Sequence, residues 1–514
     1  MESCSGNMTV LRPIRTSKQE NGEEEEETAL LSPASRMFHE PNYNIHIVAI
    51  MGWKVPIEVD SVKAEIQRKL LKHPRFSSLQ VMDESDGSRK MRWVPTTVNI
   101  DDHTIVPQIA DDNMDTDKLV EDYISNLSTT TIDMSKPLWD IHILNVKTSH
   151  AKATSICRFH HSLGDGIALI SLLLSCFNKS SDPTSLPTLP VSSSSSSFSS
   201  TSKDKSNLSI SNKKSNWYLI WQYLEKFWLF IRLLFNTVVD VLLFIATALF
   251  LKDSQSPFTV ARGFDKSSTR QIFIYRTISL DDLKFIKNVT NATVNDVILG
   301  ITQAALSRYI QRGHEVGGKR KFLPERMRCR AAVLINLRPA LGVQAVAEMI
   351  EKNATVIQGN CFGFIIIPLT IAQLENPLSY IHKAKISMDR KKRSLESQCT
   401  FYFLQLFLKF FGFKVATKLA QKVPSQTTLA FSNVAGPLEE VSCAGHPLAF
   451  LAPTCYGHPT GLMVHACSYA KKLTFAIAVR EGIIPDPDHL GDDFVDSFML
   501  IKEAALAKLR TKVD

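Results

Sequence analysis

Hydrophobic and polar positions along this chain follow two rhythms, one of period two and one near 3.6, and the switches between them outline an α/β protein. Order is expected from Tyr43, where YNIHIVAIMGW is rich in β-branched and aromatic residues and reads as a strand. Val62, Ile66 and Leu70 then share one helical face, with Asp60 as its candidate cap and Pro74 as its stop. Short strands over 79–82 and 91–94 flank the turn-prone ESDG, and a helix follows over 117–127. Segments 139–146 and 153–159 read as paired strands, the second running directly into His160 and His161. Past the turn Gly164-Asp165-Gly166, the residues Ile167, Ile170, Leu173, Leu174 and Phe177 mark a buried helix face.

A second α/β pattern occupies the rest of the chain. Strands are expected over 271–278, 330–337, 361–367, 428–432, 462–466 and 473–479, with helices over 295–312 and 490–509. Residues 179–216 between the two patterns are rich in Ser, Pro and Lys, with an unbroken serine run from Ser192 to Ser197, and read as a flexible linker. The first 32 residues are polar and acidic and are expected to be disordered. The predicted division is therefore a tail over 1–32, a first domain over 33–178, the linker over 179–216, a hydrophobic helix over 217–253 and a second domain over 254–514.

The hydrophobic stretch 227–251 is long enough to cross a bilayer, and Trp217, Tyr218, Trp221 and Tyr223 precede it like an interfacial belt. Arg232, Asn236 and Asp240 recur every four residues, however, and stack on one helical face. Three readings stay open: a span, an amphipathic helix lying in the interface, and a helix packed on the protein. A second apolar run over 401–413 is too short to span, and suits either core or a docking surface.

Composition narrows the partners. The 514-residue chain carries a formal net charge of +8 although an acidic run, Glu23 to Glu27, sits in its tail. The remainder is therefore more basic than the total, which favours phosphates or acidic lipid surfaces. No basic stripe alternates with aromatics, so nucleic acid is not expected. The nine cysteines are scattered and contain no CxxC pair, as in a reduced, cytosol-facing protein. The first residues show no apolar signal segment.

The chemistry concentrates in HHSLGDG, His160 to Gly166. A neutral imidazole suits proton abstraction from an alcohol near neutral pH, and a strand end beside a glycine turn can present it to a cleft. Gly164 and Gly166 would allow close approach and unusual backbone angles, and Asp165 would cap the next helix or brace the turn. A lone strand histidine is more often a satisfied structural residue, and an Asp-Gly pair more often only a turn. Strand neighbours face opposite ways, so His160 and His161 make poor joint metal ligands, and no metal is expected.

HHxxxDG is the signature of the CoA-dependent acyltransferase superfamily, and the chain resembles its wax ester synthase/diacylglycerol acyltransferase branch, in the plant form. The likeness extends from LSPASRMFHEPN (Leu31 to Asn42) through PLWDIHIL (Pro137 to Leu144), TVNDVILG (Thr293 to Gly300), INLRP (Ile335 to Pro339) and GNCFG (Gly359 to Gly363) to FSNVAGP (Phe431 to Pro437). The DFGWG motif of the soluble plant branch is absent. The resemblance implies two chloramphenicol-acetyltransferase-like domains forming a pseudo-dimer with a tunnel between them, plus the inserted hydrophobic helix. It implies transfer of a long acyl chain from acyl-CoA to a fatty alcohol, giving a wax ester, or to diacylglycerol, giving triacylglycerol. A non-catalytic acyl-lipid-binding protein is the reading from another class.

By carry-over His161 would be the base, with His160 beside it, Asp165 holding the loop and Gly166 keeping space for substrate. Asn295 is a candidate donor to the oxyanion, or else it caps the following helix together with Asp296. Asn336 and Arg338 would be structural, as would Asn360, expected in a turn. His465 has no Asp-Gly after it, so one active site is expected. No cofactor is implied, since acyl-CoA is a substrate. The basic cluster over 390–393 could meet headgroups or CoA phosphates, or form a solvated face. The resemblance points to the endoplasmic-reticulum membrane, with the plasma membrane as the other candidate, and leaves the oligomeric state open.

Overall fold

The computed structural model describes residues 29–83, 90–109, 115–190, 216–259, 270–315, 327–337, 343, 347–348 and 360–511. The acidic tail to residue 28, the serine run, the ESDG turn and Arg338 lie outside the described residues. With strands numbered along the chain, the first sheet has the spatial order β4 (Thr104–Ile105), β5 (Trp139–Leu144), β6 (Ala153–His160), β1 (His46–Trp53), β13 (His446–Tyr456), β12 (Val441–Cys443) and β7 (Asn178–Lys179). The second has the order β10 (Phe362–Leu369), β9 (Cys329–Asn336), β11 (Leu429–Ala435), β14 (Leu462–Tyr469), β15 (Lys472–Arg480) and β8 (Gln271–Ser279). A separate ribbon pairs β2 (Ser78–Asp83) with β3 (Lys90–Pro95). The helices are α1 (Pro33–Met37), α2 (Val59–Lys69), α3 (Thr116–Leu127), α4 (Gly166–Leu174), α5 (Asn216–Leu249), α6 (Leu280–Thr290), α7 (Val294–Glu315), α8 (Leu378–Lys391), α9 (Glu396–Ser425) and α10 (Pro487–Arg510).

The two sheets stack face to face, and this follows from β1. Its Ala49, Met51 and Trp53 pack outward with Val62 and Ile66 of α2 and Leu172 of α4. Its Val48 and Ile50 point the other way, onto Phe273, Ala476 and Ala478 of the second sheet. A strand buried on both faces must be apolar throughout, which is why 43–53 shows little polar alternation. The outer face of the second sheet is covered by α6, α7, α8 and α10 through residues such as Ile286, Ile301, Ile381 and Phe494. Helix, sheet, sheet, helix is the resulting order of layers, with an intersheet seam at the centre.

The sheets do not follow the division at residue 254. β12 and β13 come from the second half of the chain but complete the first sheet, β13 pairing antiparallel with β1 from His46↔Tyr456 to Trp53↔Leu448. This strand was not legible because Pro447 and Pro453 interrupt it and read as breakers. Two segments expected to be flexible are ordered at the ends that the structure describes. Ala29 and Leu31 hydrogen-bond β3 at 2.9 and 2.8 Å. Residues 179–190 begin with β7 and pack Leu186 and Leu189 against the first core. Asp60 lies in the first turn of α2, while Glu58 takes the N-cap position.

The hydrophobic helix α5 divides at its middle. From Asn236 onward it docks on the body, packing Phe244 and Ala248 against Phe364, Ile366 and Val423. Asp240 is 0% exposed and paired with Arg390 at 2.7 Å and Lys391 at 3.0 Å. The cluster over 390–393 is therefore not wholly a solvated face: Lys391 also binds the buried Glu396 at 2.6 Å, and the Arg393 carbonyl accepts from Asn236. Ahead of Asn236, every side chain from Ile220 to Arg232 is exposed. The run over 401–413 belongs to the longer α9, which kinks where Gly412 leaves helical geometry at φ 72°, ψ 178°.

Candidate active site

β6 delivers the two histidines. It is held between β5 and β1, and Arg158, two residues before His160, forms a buried two-point ion pair with Asp140 of β5 at 2.8 and 2.5 Å. His142 adds a contact to the same carboxylate at 3.2 Å. Burial pushes the Asp140 carboxyl up, but hydrogen bonds from His142 and Arg158, with the Arg158 charge, more than offset this and hold it below its ordinary range. The PLWDIHIL segment thus supplies the anchor for the strand that ends in the motif.

After β6 the backbone turns through a short 3-10 helix, His161–Leu163, and enters α4. Asp165 caps that helix, its Oδ1 accepting from the Ala168 amide at 3.0 Å. The Leu163 carbonyl accepts from the Arg75 guanidinium at 2.5 Å. Gly164 is in extended backbone at φ 165°, so no left-handed angle is required there. At Gly166 an added Cβ would meet no atom within 4 Å, and the residue lines the central cavity. Its missing side chain leaves that space free.

His160 and His161 diverge. His160 is 0% exposed; its Nδ1 contacts the Ser162 hydroxyl at 2.6 Å, and its ring lies 4.8 Å from His39 and 5.3 Å from His46. Burial holds its imidazole well below 6.5. It does not line the cavity, so the structure does not bring it to the reacting space. His161 is half-buried and does line it. Its ring stacks on Phe38 at 4.2 Å and meets Phe362 edge-on at 6.2 Å. Its amide donates to the Ile45 carbonyl at 2.9 Å, and its carbonyl accepts from Asn360 Nδ2 at 2.8 Å. Burial lowers the His161 pKa below 6.5, against opposing contributions from its own carbonyl, Asp165 and Asn360. A neutral ring at pH 7 is the consequence.

The cavity measures about 280 Å³ and opens between the sheets. One wall carries His161, Asp165, Gly166 and the apolar side of α4; the other carries Asn336, Ser432, Asn433 and His465. It is mostly apolar, as a site for an alkyl chain must be. A smaller apolar recess behind α4, lined by Trp53, Cys157 and Phe177, shares Leu173 with it.

Asn336 reaches this wall, but Asn295 does not. Asn295 is exposed, and its Oδ1 accepts from Asn433 Nδ2 at 2.5 Å, so Asn433 is the amide that lines the cavity. Nor does Asn295 cap α7. Thr293 and Asp296 do so reciprocally, the Thr293 amide donating to Asp296 Oδ2 at 2.8 Å and the Asp296 amide to Thr293 Oγ1 at 3.2 Å. Asn360 is more than a turn residue, since it binds both the His161 carbonyl and Ser35 Oγ at 3.1 Å. Asn433, Thr454 and His458 were not singled out from the sequence as site residues. Each sits in an irregular or strand segment whose pattern carries no sign that it faces a cavity across the intersheet seam.

Similarity to known proteins agrees with this geometry. Residues 32–298 match the family model described as the wax ester synthase/diacylglycerol acyltransferase catalytic domain, and residues 358–502 match the WS/DGAT C-terminal domain. Wax ester synthase/diacylglycerol acyltransferase 11 of Arabidopsis thaliana is 42% identical over 480 residues, covering 93% of this chain and 95% of that protein. Wax ester synthase/diacylglycerol acyltransferase 6 of the same plant is 41% identical, with 95% of each chain covered. Among solved structures, the wax ester synthase/diacylglycerol acyltransferase from Marinobacter aquaeolei VT8 superposes with a TM-score of 0.58 at 15% identity, covering 93% of this chain and 100% of that one. The first condensation domain of the CDA synthetase superposes at 0.50 with 10% identity, covering 93% and 96%. At such identities these two matches speak for the fold alone. By its catalytic-domain match and its near-full-length relatives, the chain belongs to the wax ester synthase/diacylglycerol acyltransferase family, a family of acyltransferases.

Proposed function

We propose that the protein moves a long acyl chain from acyl-CoA to the hydroxyl of a long-chain alcohol, giving a wax ester, with His161 as general base. The observation that carries this is a neutral, lowered-pKa imidazole on the wall of an otherwise apolar intersheet cavity. Its Nδ1 is buried, which leaves Nε2 to take the proton. The hydroxyl oxygen forms a bond to the thioester carbonyl carbon as its proton passes to Nε2. The carbon–sulfur bond then breaks, and the same proton goes to the leaving thiolate, releasing free CoA. One base serves both steps, so no acyl-enzyme is needed.

Asn433, a cavity amide that Asn295 orients from outside, is the proposed donor to the developing oxyanion. Asp165 and Asn360 hold the His161 loop. Diacylglycerol is the second acceptor, favoured by the family to which the chain belongs. Lipid is reached through the exposed, aromatic-rich first half of α5 and the exposed Tyr402, Phe410 and Phe411 of α9.

The test is purified protein with a long-chain acyl-CoA against a panel of alcohols and diacylglycerol. Ester should form, and His161→Ala should lower kcat by roughly 10²–10⁴. Unchanged ester production by that variant would remove His161 as the base, and no ester from any acceptor would return the chain to a non-catalytic lipid-binding role.

A further inference from the structure

Besides His161, the cavity wall carries a group of polar side chains that the acyl-transfer step does not use. Thr454 of β13, His458 in the loop after it and His465 of β14 all line the cavity. They are 2%, 6% and 8% exposed. Thr454 Oγ1 and the Nδ1 atoms of both histidines are buried without a hydrogen-bond partner among the described residues. Buried polar atoms are nearly always paired, and three such atoms around one cavity need a common explanation.

The positions are rigid. His465 sits mid-strand between Ser432 of β11 and Ala476 of β15. The loop of His458 is pressed against the body. A Cβ at Gly457, which has φ +86°, would lie 2.1 Å from the Asn44 carbonyl oxygen. The His458 carbonyl accepts from Arg480 at 2.9 Å. A side chain held this firmly is preorganised for a ligand.

We infer that Thr454, His458 and His465 form a second polar subsite of the cavity, which receives an ester carbonyl of a glycerolipid acceptor while its free hydroxyl is offered to His161. This rests on the acyl-transfer reading above. Neutral partners suit this set better than anions, because burial lowers the His458 and His465 pKa values to about 3 and about 4 and leaves both rings uncharged at pH 7. A carboxylate or phosphate would find no charged ring there. A diacylglycerol brings two ester carbonyls besides its hydroxyl, whereas an alkanol brings none. The subsite therefore discriminates between the two acceptor classes rather than serving the acyl donor, which both reactions share.

The probes are 1,2-diacylglycerol, its 1,2-dialkyl ether analogue of matched length, and a long-chain alkanol, each with the same acyl-CoA and the full-length protein. The wild type should prefer diacyl over dialkyl glycerol in kcat/KM by roughly tenfold, the equivalent of one hydrogen bond. His465→Leu and the near-isosteric Thr454→Val should shrink that ratio towards one, and His465→Gln, which keeps a hydrogen-bonding group, should retain part of it. Thermal melts of each variant separate lost folding from lost selectivity. Turnover of all three acceptors with an unaltered diacyl-to-dialkyl ratio in every variant overturns the subsite. So does an equal loss on all three acceptors by a folded variant, which would place these groups on the acyl donor. No product from any acceptor would instead sink the acyl-transfer reading itself.

Discussion

His161 occupies an environment in which every neighbour acts on either its position or its charge state. Phe38 fixes the ring plane, and hydrogen bonds from its own amide and from Asn360 fix the backbone on both sides. Burial keeps it neutral. The sign of the pH dependence follows. With His161 as the proposed base, the competent form is the neutral ring, its folded pKa lies below 6.5, and protonation on acidification would remove activity. A profile of kcat/KM between pH 5 and 9 should therefore fall on the acid side with the midpoint of that limb below 6.5. A limb centred above 6.5 would mean that another group controls the step. At this scale the motif was legible: seven residues with an unusual composition singled out the histidine that lines the cavity. Asn433 was not, because an Asn within a strand run is unremarkable until its partner Asn295 and the facing wall are known.

Two elements each yield a test. β6 is pinned by Asp140 and Arg158, which are both buried. Asp140→Ala leaves the guanidinium unpaired in the interior and should cost about 3–5 kcal/mol of stability, read as a fall in denaturation midpoint. Replacing both residues with apolar ones of similar volume should recover most of the loss, since the desolvation penalty then disappears as well. If the single variant melts like the wild type, the ion pair does not anchor the strand. α5 is the second element. Asp240 and Asn236 face the body, so these two positions of the polar stripe are satisfied by protein while Arg232 is exposed, and the part before Asn236, continuously exposed from Ile220 to Arg232, is the larger apolar surface left for lipid. Trp221→Ser, Phe227→Ser and Trp228→Ser together should reduce binding to vesicles of phosphatidylcholine and phosphatidylserine by at least about tenfold, given the apolar area withdrawn. Undiminished flotation with vesicles would leave this half of α5 without a lipid role.

The whole molecule carries a further consequence of its buried imidazoles. Burial lowers His46, His73 and His458 to about 3 and His465 to about 4. Below pH 6.5 the unfolded chain takes up protons that the folded chain refuses, so stability falls as the solution is acidified. Each such residue contributes about 1.4 kcal/mol per pH unit once the pH is well below 6.5. Far-ultraviolet circular dichroism should show cooperative unfolding by about pH 5, an effect absent between pH 7 and 8. Retained structure at pH 4 would show that these rings accept protons in the fold. The same measurement separates acid unfolding from titration of His161 in the activity profile.

Local pattern was enough to determine the α/β class, most strand and helix positions and the identity of the motif, because period and turn chemistry are properties of neighbouring residues. It also carried the family likeness, spread over several spaced motifs. Only the tertiary structure decided that β13 crosses to complete the first sheet, that Asp240 meets Arg390 and Lys391, and that Thr454, His458 and His465 share a cavity with His161. Each of these joins residues far apart along the chain. Pairing of that kind is settled by which faces can be buried together, and a one-dimensional pattern does not encode it.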